Sequence, residues 1–139
     1  MPTTNNLTSS SLQQLVYSDF TDNLLQAPFS NDLAKITNEN SIKQSLRNIV
    51  KTYCGERLYD NSIGQSGNYG LFGLNDTLTE SIVKQTLIDA IKNNEPRVNV
   101  AIINVDSQTN PNALVIEIFF NITNISNILS ISVVLNRVR

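Results

Sequence analysis

The stretch from Asp76 to Asp106 constrains the fold most, because a helical apolar period ends abruptly within it and a strand period begins. Over residues 77–93, apolar side chains recur at helical spacing and leave a polar face, which predicts an amphipathic helix. Thr77 and Glu80 fit the capping box that begins many helices. Over residues 98–105, apolar side chains occupy both sets of alternating positions, which predicts a strand buried on both faces.

A charged corner, Glu95-Pro96-Arg97, separates this helix from this strand. Asn93 and Asn94 tolerate the left-handed conformation that often ends helices, and Pro96 disfavours helical geometry at Glu95. Spacing alone leaves two interpretations of Glu95 and Arg97 open. In the first, they form a local ion pair beside the end of the helix, which contributes at most about 1 kcal/mol to folding stability if exposed. In the second, they serve a function at the corner.

Length and composition exclude several classes of function. The 139 residues suffice for one domain that buries roughly two thirds of its unfolded surface. The net charge of −2 and the absence of a basic run make nucleic acid and anionic membrane poor partners. No apolar run approaches the roughly 20 residues of a membrane helix, and residues 1–6 do not resemble a signal peptide.

The rarity of certain residue types also limits the chemistry. Histidine and tryptophan are absent and Cys54 is the only cysteine, which removes serine–histidine catalysis, cysteine–histidine catalysis and the usual zinc sites. We therefore expect no catalytic residue, metal or cofactor. Cys54 is expected to be a small buried apolar residue.

The chain divides into two parts. In the first part, residues 1–16 are expected to form a polar N-terminal arm. Residues 17–40 are expected to lie over the surface of the domain, with one short helix. Residues 41–139 are expected to form a single α+β domain. Its first helix is predicted from Ser41 to about Tyr53, with Asn40 or Ser41 as its cap and Gly55 as its stop signal.

A glycine-containing region follows this first helix. Residues 56–60 are predicted to be a short extended piece, and residues 64–73 a loop with Leu71 and Phe72 as its apolar anchor. Four glycines in this loop do not indicate a phosphate-binding loop, because the Gly-Lys-Ser/Thr ending is missing.

Two more strands are predicted at the C-terminus, since apolar residues alternate over 114–122 and again over 129–135. With the strand that follows the corner, they form a three-strand meander in a small antiparallel or mixed sheet, packed against the two main helices. The last strand is expected at the edge of the sheet, without proline or charges to protect it. Either residues 17–40 cover this edge or it accepts a strand from a partner.

Several motifs in fixed order resemble those of a known family. They are Tyr17-Ser18-Asp19, residues 41–46, residues 55–60 followed by Gly64 and Leu71-Phe72, and Glu95-Pro96-Arg97-Val98. Over about residues 17–139 the chain resembles the gene-25-like baseplate wedge proteins of contractile-tailed bacteriophages, which are related to a baseplate component of type VI secretion systems. The loop between Gly64 and Leu71 departs from the family pattern, so we carry no contact over to it.

The resemblance implies a small structural subunit of the inner baseplate, near the tail tube and the first sheath ring. In that family the corner, here Glu95, Pro96 and Arg97, docks onto a helical core bundle made by larger wedge proteins, and Gly55, Glu56 and Arg57 would be a supporting motif. The last strand would join strands of sheath subunits through Leu129, Ser130, Ile131, Ser132, Val133 and Val134. The implied partners are larger wedge proteins, sheath subunits and other tube-proximal proteins. The implied location is the virion tail, after assembly in the host cytoplasm.

Two other functions were weighed: a peptidoglycan-cleaving, lysozyme-like enzyme and a single-partner regulator of similar fold. A glycosidase needs two carboxyl groups across the bond, usually with one of them protonated. The candidate carboxylates are Glu56, Asp60, Asp76, Glu80, Glu95 and Glu117. Nothing singles out a pair among them, and arginines beside Glu56 and Glu95 would keep both ionised. We therefore predict a protein that is not an enzyme.

Overall fold

The computed structural model describes residues 17–29, 31–66, 77–106, 113–123 and 127–136. Its elements are β1 (Ser18–Phe20), β2 (Lys35–Thr37), α1 (Glu39–Lys51), α2 (Thr77–Asn94), β3 (Val98–Asp106), β4 (Ala113–Ile122) and β5 (Ile128–Asn136). Two helices with antiparallel sheets confirm the predicted α+β class. The described residues fall into two compact units, one up to Ser41 and one from Ile42 onward.

The N-terminal unit is built on a β-hairpin. Strands β1 and β2 pair in antiparallel register, with Ser18 opposite Thr37. Among the described residues from 17 to 38 there is no helix, so the predicted short helix is wrong. The arm predicted over residues 1–16 lies outside the described residues.

Helix α1 buries its apolar face and differs from the prediction at both ends. The buried residues are Ile42, Leu46, Ile49 and Val50. The helix begins at Glu39, so Asn40 and Ser41 lie inside it and the predicted cap is wrong. An acidic residue in the first turn suits the positive end of the helix dipole, which explains this earlier start. At the other end the helix stops at Lys51, and Tyr53 instead forms an isolated bridge with Gln65.

A loop held by buried backbone contacts follows α1. Gln65 is buried, and its Nε2 donates to the Val50 carbonyl at 2.9 Å, which satisfies one acceptor at the helix C-terminus. Gly64 has φ +115°, and a Cβ there would clash with the Thr52 carbonyl, so only glycine fits. The end of α1 is therefore fixed by a contact with a residue that follows it in the chain.

The same loop corrects three predictions. Gly55 has a left-handed φ of +92°, but it lies in a turn four residues beyond the end of α1, where its amide donates to the Asn61 carbonyl. Residues 56–60 form a bend instead of an extended strand. Cys54 is exposed, not buried, and its thiol donates to the backbone carbonyl of Gly64, with an Sγ–O distance of 3.3 Å.

The main sheet has the predicted meander, with strand order β3-β4-β5 and antiparallel pairing throughout. Central strand β4 buries one complete face, which comprises Leu114, Ile116, Ile118, Phe120 and Ile122. Strand β5 buries Ile131, Val133 and Leu135, as the alternation predicts. Helix α2 packs on β3 and buries Val83, Leu87, Ala90 and Ile91, while Leu78 and Ile82 near its start are exposed.

Strand β3 differs from the prediction because it contains a β-bulge. The register with β4 shifts between Val100 and Ile102, which leaves Ala101 as an extra residue. The shift brings Val98, before the bulge, and Ile103 and Val105, after it, into the core, while Ile102 is 58% exposed. The prediction that both faces of this strand are buried is therefore wrong.

Candidate docking site

The corner after α2 is a hydrogen-bonded turn. The Glu95 amide donates to the Ile91 carbonyl at 2.8 Å, and the Val98 amide donates to the Glu95 carbonyl at 3.2 Å, which closes the turn over Pro96 and Arg97. Asn94 ends the helix by donating from Nδ2 to the Ala90 carbonyl at 2.8 Å. The left-handed conformation expected at Asn93 or Asn94 is wrong, since neither residue has a positive φ.

Glu95 and Arg97 form a bidentate ion pair at this corner. Arg97 Nε lies 2.5 Å from Glu95 Oε1, and Arg97 Nη2 lies 2.7 Å from Glu95 Oε2. Paired N–H groups of this kind hold the guanidinium and the carboxylate in one plane. The two side chains differ in burial, because the glutamate is 4% exposed and the arginine 38% exposed. Of the pair, the arginine therefore reaches the surface.

A hydroxyl from α1 gives the carboxylate a third bond. Ser45 Oγ donates to Glu95 Oε2 at 2.6 Å, across 50 residues of sequence. Burial is the largest influence on the pKa of Glu95 and raises it, but the hydrogen bonds from Arg97 and Ser45 and the charge of Arg97 together outweigh it. The pKa of Glu95 therefore lies below its ordinary value, and the group is ionised at neutral pH.

The backbone of the corner is held by the end of β4. The carbonyl of Arg97 accepts bonds from Thr123, from the amide at 2.9 Å and from the hydroxyl at 3.1 Å. Residues from α1, the end of α2 and the end of β4 thus fix the position of Glu95 and Arg97.

Gly55, Glu56 and Arg57, expected to be a supporting motif, lie in the loop that follows α1. Glu56 Oε2 accepts a bond from the Tyr53 amide at 3.0 Å, so this carboxylate binds the backbone of its own loop. Burial, and secondarily the charge of Glu56, raise the pKa of Tyr53. A cavity of about 400 Å³ lies beside this loop and is lined by Glu56, Arg57, Leu58, Tyr59, Asp60 and Ile63.

Strand β5 provides a second candidate surface, at the edge of the sheet. It pairs with β4 from Ile128 to Asn136, and no other described strand pairs with its opposite edge. All six residues proposed for strand sharing, 129–134, lie in this strand. The strand has no charged residue, proline or bulge, so it lacks the usual devices that protect an edge.

Neither Glu95 nor Asp60 has the raised pKa of a glycosidase proton donor. Glu95 is buried, but its lowered pKa is opposite to what a proton donor requires. The pKa of exposed Asp60 is lowered by hydrogen bonds from Ser62. Asp76 lies outside the described residues. Where the structure describes the chain, no cluster of acidic or cysteine side chains could hold a metal ion, and no helix is long and apolar enough to cross a membrane.

Ser45 is the residue of the corner that the sequence analysis missed. It follows Ile42 by three residues and precedes Leu46, so it lies within the apolar face of α1. A hydroxyl at such a position usually needs a hydrogen-bond partner. This requirement is the signal by which the sequence could have pointed to Ser45. The partner lies 50 residues away, and local spacing does not identify it.

Comparisons with known proteins assign the family. A family model described as baseplate wedge protein gp25 matches residues 37–125. The chain is 32% identical over 107 residues to baseplate wedge protein gp25 of Enterobacteria phage T4, covering 77% of this chain and 80% of that protein.

Two solved structures share the fold. A putative tail lysozyme from Geobacter sulfurreducens has a TM-score of 0.64 at 20% identity and covers 73% of this chain and 92% of its own. A chain of the anti-feeding prophage baseplate has a TM-score of 0.58 at 18% identity, with coverage of 88% and 87%. Since the family model spans well over half of the sequence, this chain belongs to the gp25 family of baseplate wedge proteins.

Proposed function

We propose that the Glu95–Arg97 corner docks this protein onto a helical core bundle of larger wedge proteins, and that β5 shares a sheet with strands of tail sheath subunits. Family membership makes the chain a structural component of a tail baseplate. The proposed connection runs from the wedge core, near the tail tube, to the first sheath ring. Assembly would take place in the host cytoplasm before the protein becomes part of the virion.

The observation that carries the proposal is the difference in burial within the Glu95–Arg97 pair. A buried carboxylate holds the guanidinium by two bonds, while the arginine itself extends to the surface. An arginine fixed in this way loses little conformational entropy when a partner binds, and the exposed part of its guanidinium suits carboxylates or exposed carbonyls of a helix end. A helical bundle offers both kinds of group.

Strand sharing at β5 is supported by its outer edge, with which no described strand pairs. Backbone groups on the free side of an edge strand can form a ladder with an added strand, as in other β-augmentation complexes. The uncharged sequence of β5 gives such a strand no electrostatic obstacle. Pairing would require no change in the core-facing residues of the strand, because they point away from the ladder direction.

The two alternatives have less support. The fold shared with a putative tail lysozyme does not transfer activity, and the lowered pKa values of Glu95 and Asp60 are opposite to what a general acid requires. A single-partner regulator would need one binding surface. The corner and the β5 edge are two separate surfaces of different chemistry, which favours a connector.

The test of the corner uses Arg97→Lys, which keeps the charge and removes the bidentate fork. We expect this variant to fold normally but to bind co-expressed helical wedge proteins about tenfold more weakly, as measured by quantitative co-purification. Arg47→Lys is the matched control, since Arg47 is an exposed arginine of α1 outside the proposed docking residues. Equal binding by Arg97→Lys and the wild type, with both folded, would contradict docking through the Arg97 guanidinium.

A further inference from the structure

We propose that Ser45 is a positioning residue of the docking corner, whose hydroxyl fixes the plane of the Glu95 carboxylate and thereby the direction of the Arg97 guanidinium. This inference rests on the proposed function of the corner. It extends that function to a residue on α1 that does not itself need to touch a partner.

The geometry shows how the three side chains are coupled. Glu95 Oε2 accepts both from Ser45 Oγ, at 2.6 Å, and from Arg97 Nη2, at 2.7 Å. The terminal torsion of a glutamate is broad and roughly two-fold, so the carboxylate plane is not set by its own rotamer. A third hydrogen bond from a separate element restricts this rotation. Because the fork is planar, the arginine follows the orientation of the carboxylate.

Burial makes the serine bond difficult to replace. Glu95 is 3% exposed, so little solvent can supply a substitute donor to Oε2 when the hydroxyl is removed. Ser45 itself is half-buried on α1. The bond therefore transmits the position of α1 to the turn between α2 and β3.

The test removes the hydroxyl and follows the arginine directly. In Ser45→Ala we expect exchange of the Arg97 Nε proton, measured by NMR on the free protein, to accelerate about tenfold. We expect affinity for the co-purified helical wedge proteins to fall about tenfold. Ser45→Thr, which restores a hydroxyl, should recover both values. A merely structural role would change global amide protection without this selective effect on the arginine.

Thr86→Val is the matched control. It removes a hydroxyl that bonds the Ile82 carbonyl within α2, at 2.7 Å, and should leave both the Arg97 proton and the affinity unchanged. If Ser45→Ala fails to fold, Ser45→Cys keeps the side-chain size with a weaker donor and should change both values in the same direction.

The outcomes separate this inference from the proposed function. Unchanged exchange of the Arg97 proton in a folded Ser45 variant would overturn the positioning role, whatever the affinity. Where Arg97→Lys weakens binding, faster exchange with unchanged affinity in the Ser45 variant would overturn it as well, since orientation would then not matter for docking. Normal wedge binding by Arg97→Lys would instead overturn the docking corner, while faster exchange in the free Ser45 variant would still support the effect of the serine on the arginine.

Discussion

The proposed docking corner and the β5 edge differ in what each would present to a partner. At the corner, charged side chains are already bonded to each other, and a buried carboxylate sets their geometry. At the edge, the side chains carry no charge, and the proposed interaction would depend on backbone groups along one side of β5. The corner would therefore provide a preformed, orientation-dependent contact, whereas the edge would provide an extended ladder that tolerates many sequences.

Because the two surfaces differ in chemistry, we expect substitutions at one to leave the other functional. Substitution of Arg97 should remove one oriented contact and also leave the buried Glu95 carboxylate without its ion-pair partner. A substitution along the edge should remove ladder bonds and leave the corner intact. Variants at the corner and at the edge test whether wedge binding and sheath attachment are independent.

The largest effect is expected from Arg97→Ala. The change leaves the buried Glu95 carboxylate with Ser45 as its remaining side-chain donor among the bonds described above. We expect it to abolish incorporation into the wedge complex and to lower the free energy of unfolding by about 2 kcal/mol, less than for a fully buried pair because the arginine is partly exposed. Chemical denaturation and co-purification measure the two effects.

A loss of that size leaves a typical domain folded, which allows assembly to be tested on folded protein. Arg47→Ala serves as the control for loss of one surface charge, since Arg47 is exposed on α1. Normal wedge incorporation by folded Arg97→Ala would remove this residue from the interface and leave the corner without a docking role.

Proline substitutions at Ile131 and Ser132 should affect sheath attachment next most strongly. Neighbouring residues of a strand direct their N–H groups to opposite sides, so one of the two prolines deletes a bond with β4 and the other deletes a donor at the open edge. We expect the edge-facing variant to stay folded and bind wedge proteins normally, but to lose sheath attachment in an assembly assay. Circular dichroism and thermal unfolding identify which variant is which.

Ile131 is also buried, so its proline variant carries an additional packing cost. Ser132 is exposed and provides the cleaner comparison. If both folded variants attach sheath as the wild type does, strand sharing at these positions is wrong. If wedge binding falls together with sheath attachment, the two surfaces are not independent.

The smallest effect concerns the pH dependence of stability. The pKa of Glu95 is lower in the folded protein than its ordinary value, so its contribution is present above the ordinary glutamate range and is lost as the pH falls through the lowered value. We expect the stability difference between the wild type and Glu95→Gln to be largest near neutral pH and to shrink under acid conditions. Urea denaturation across this pH range measures it, and a difference that grows on acidification would contradict the ion-pair account.

Regular periodicity explains which parts of the fold were predictable. The alternation in β4 and β5, the period of α2 and the stop at Pro96 predicted the meander and the corner because each signal is local. Strand β3 was predictable as a strand, but which of its side chains face the core was not. Apolar residues occupy both sets of alternating positions in its sequence. Only the register with β4 reveals the bulge at Ala101, and register depends on a neighbouring strand.

The candidate site was predictable in its residues but not in its geometry. Glu95 and Arg97 are two positions apart, so an ion pair was one of the expected arrangements. The burial of Glu95 depends on the packing of separate elements, and its bond to Ser45 spans 50 residues, so neither follows from local spacing. The C-terminal end of α1 was misplaced for a similar reason, because Gln65, rather than a residue next to the helix, binds the last turn.

The most direct test of the connector account is a density map of the intact contractile tail at side-chain resolution, with attention to Arg97 and residues 128–136. The account predicts that Arg97 contacts a helical bundle of larger wedge proteins while β5 pairs with a strand from a sheath subunit. A map in which both the Arg97 side chain and the β5 edge face solvent would contradict it.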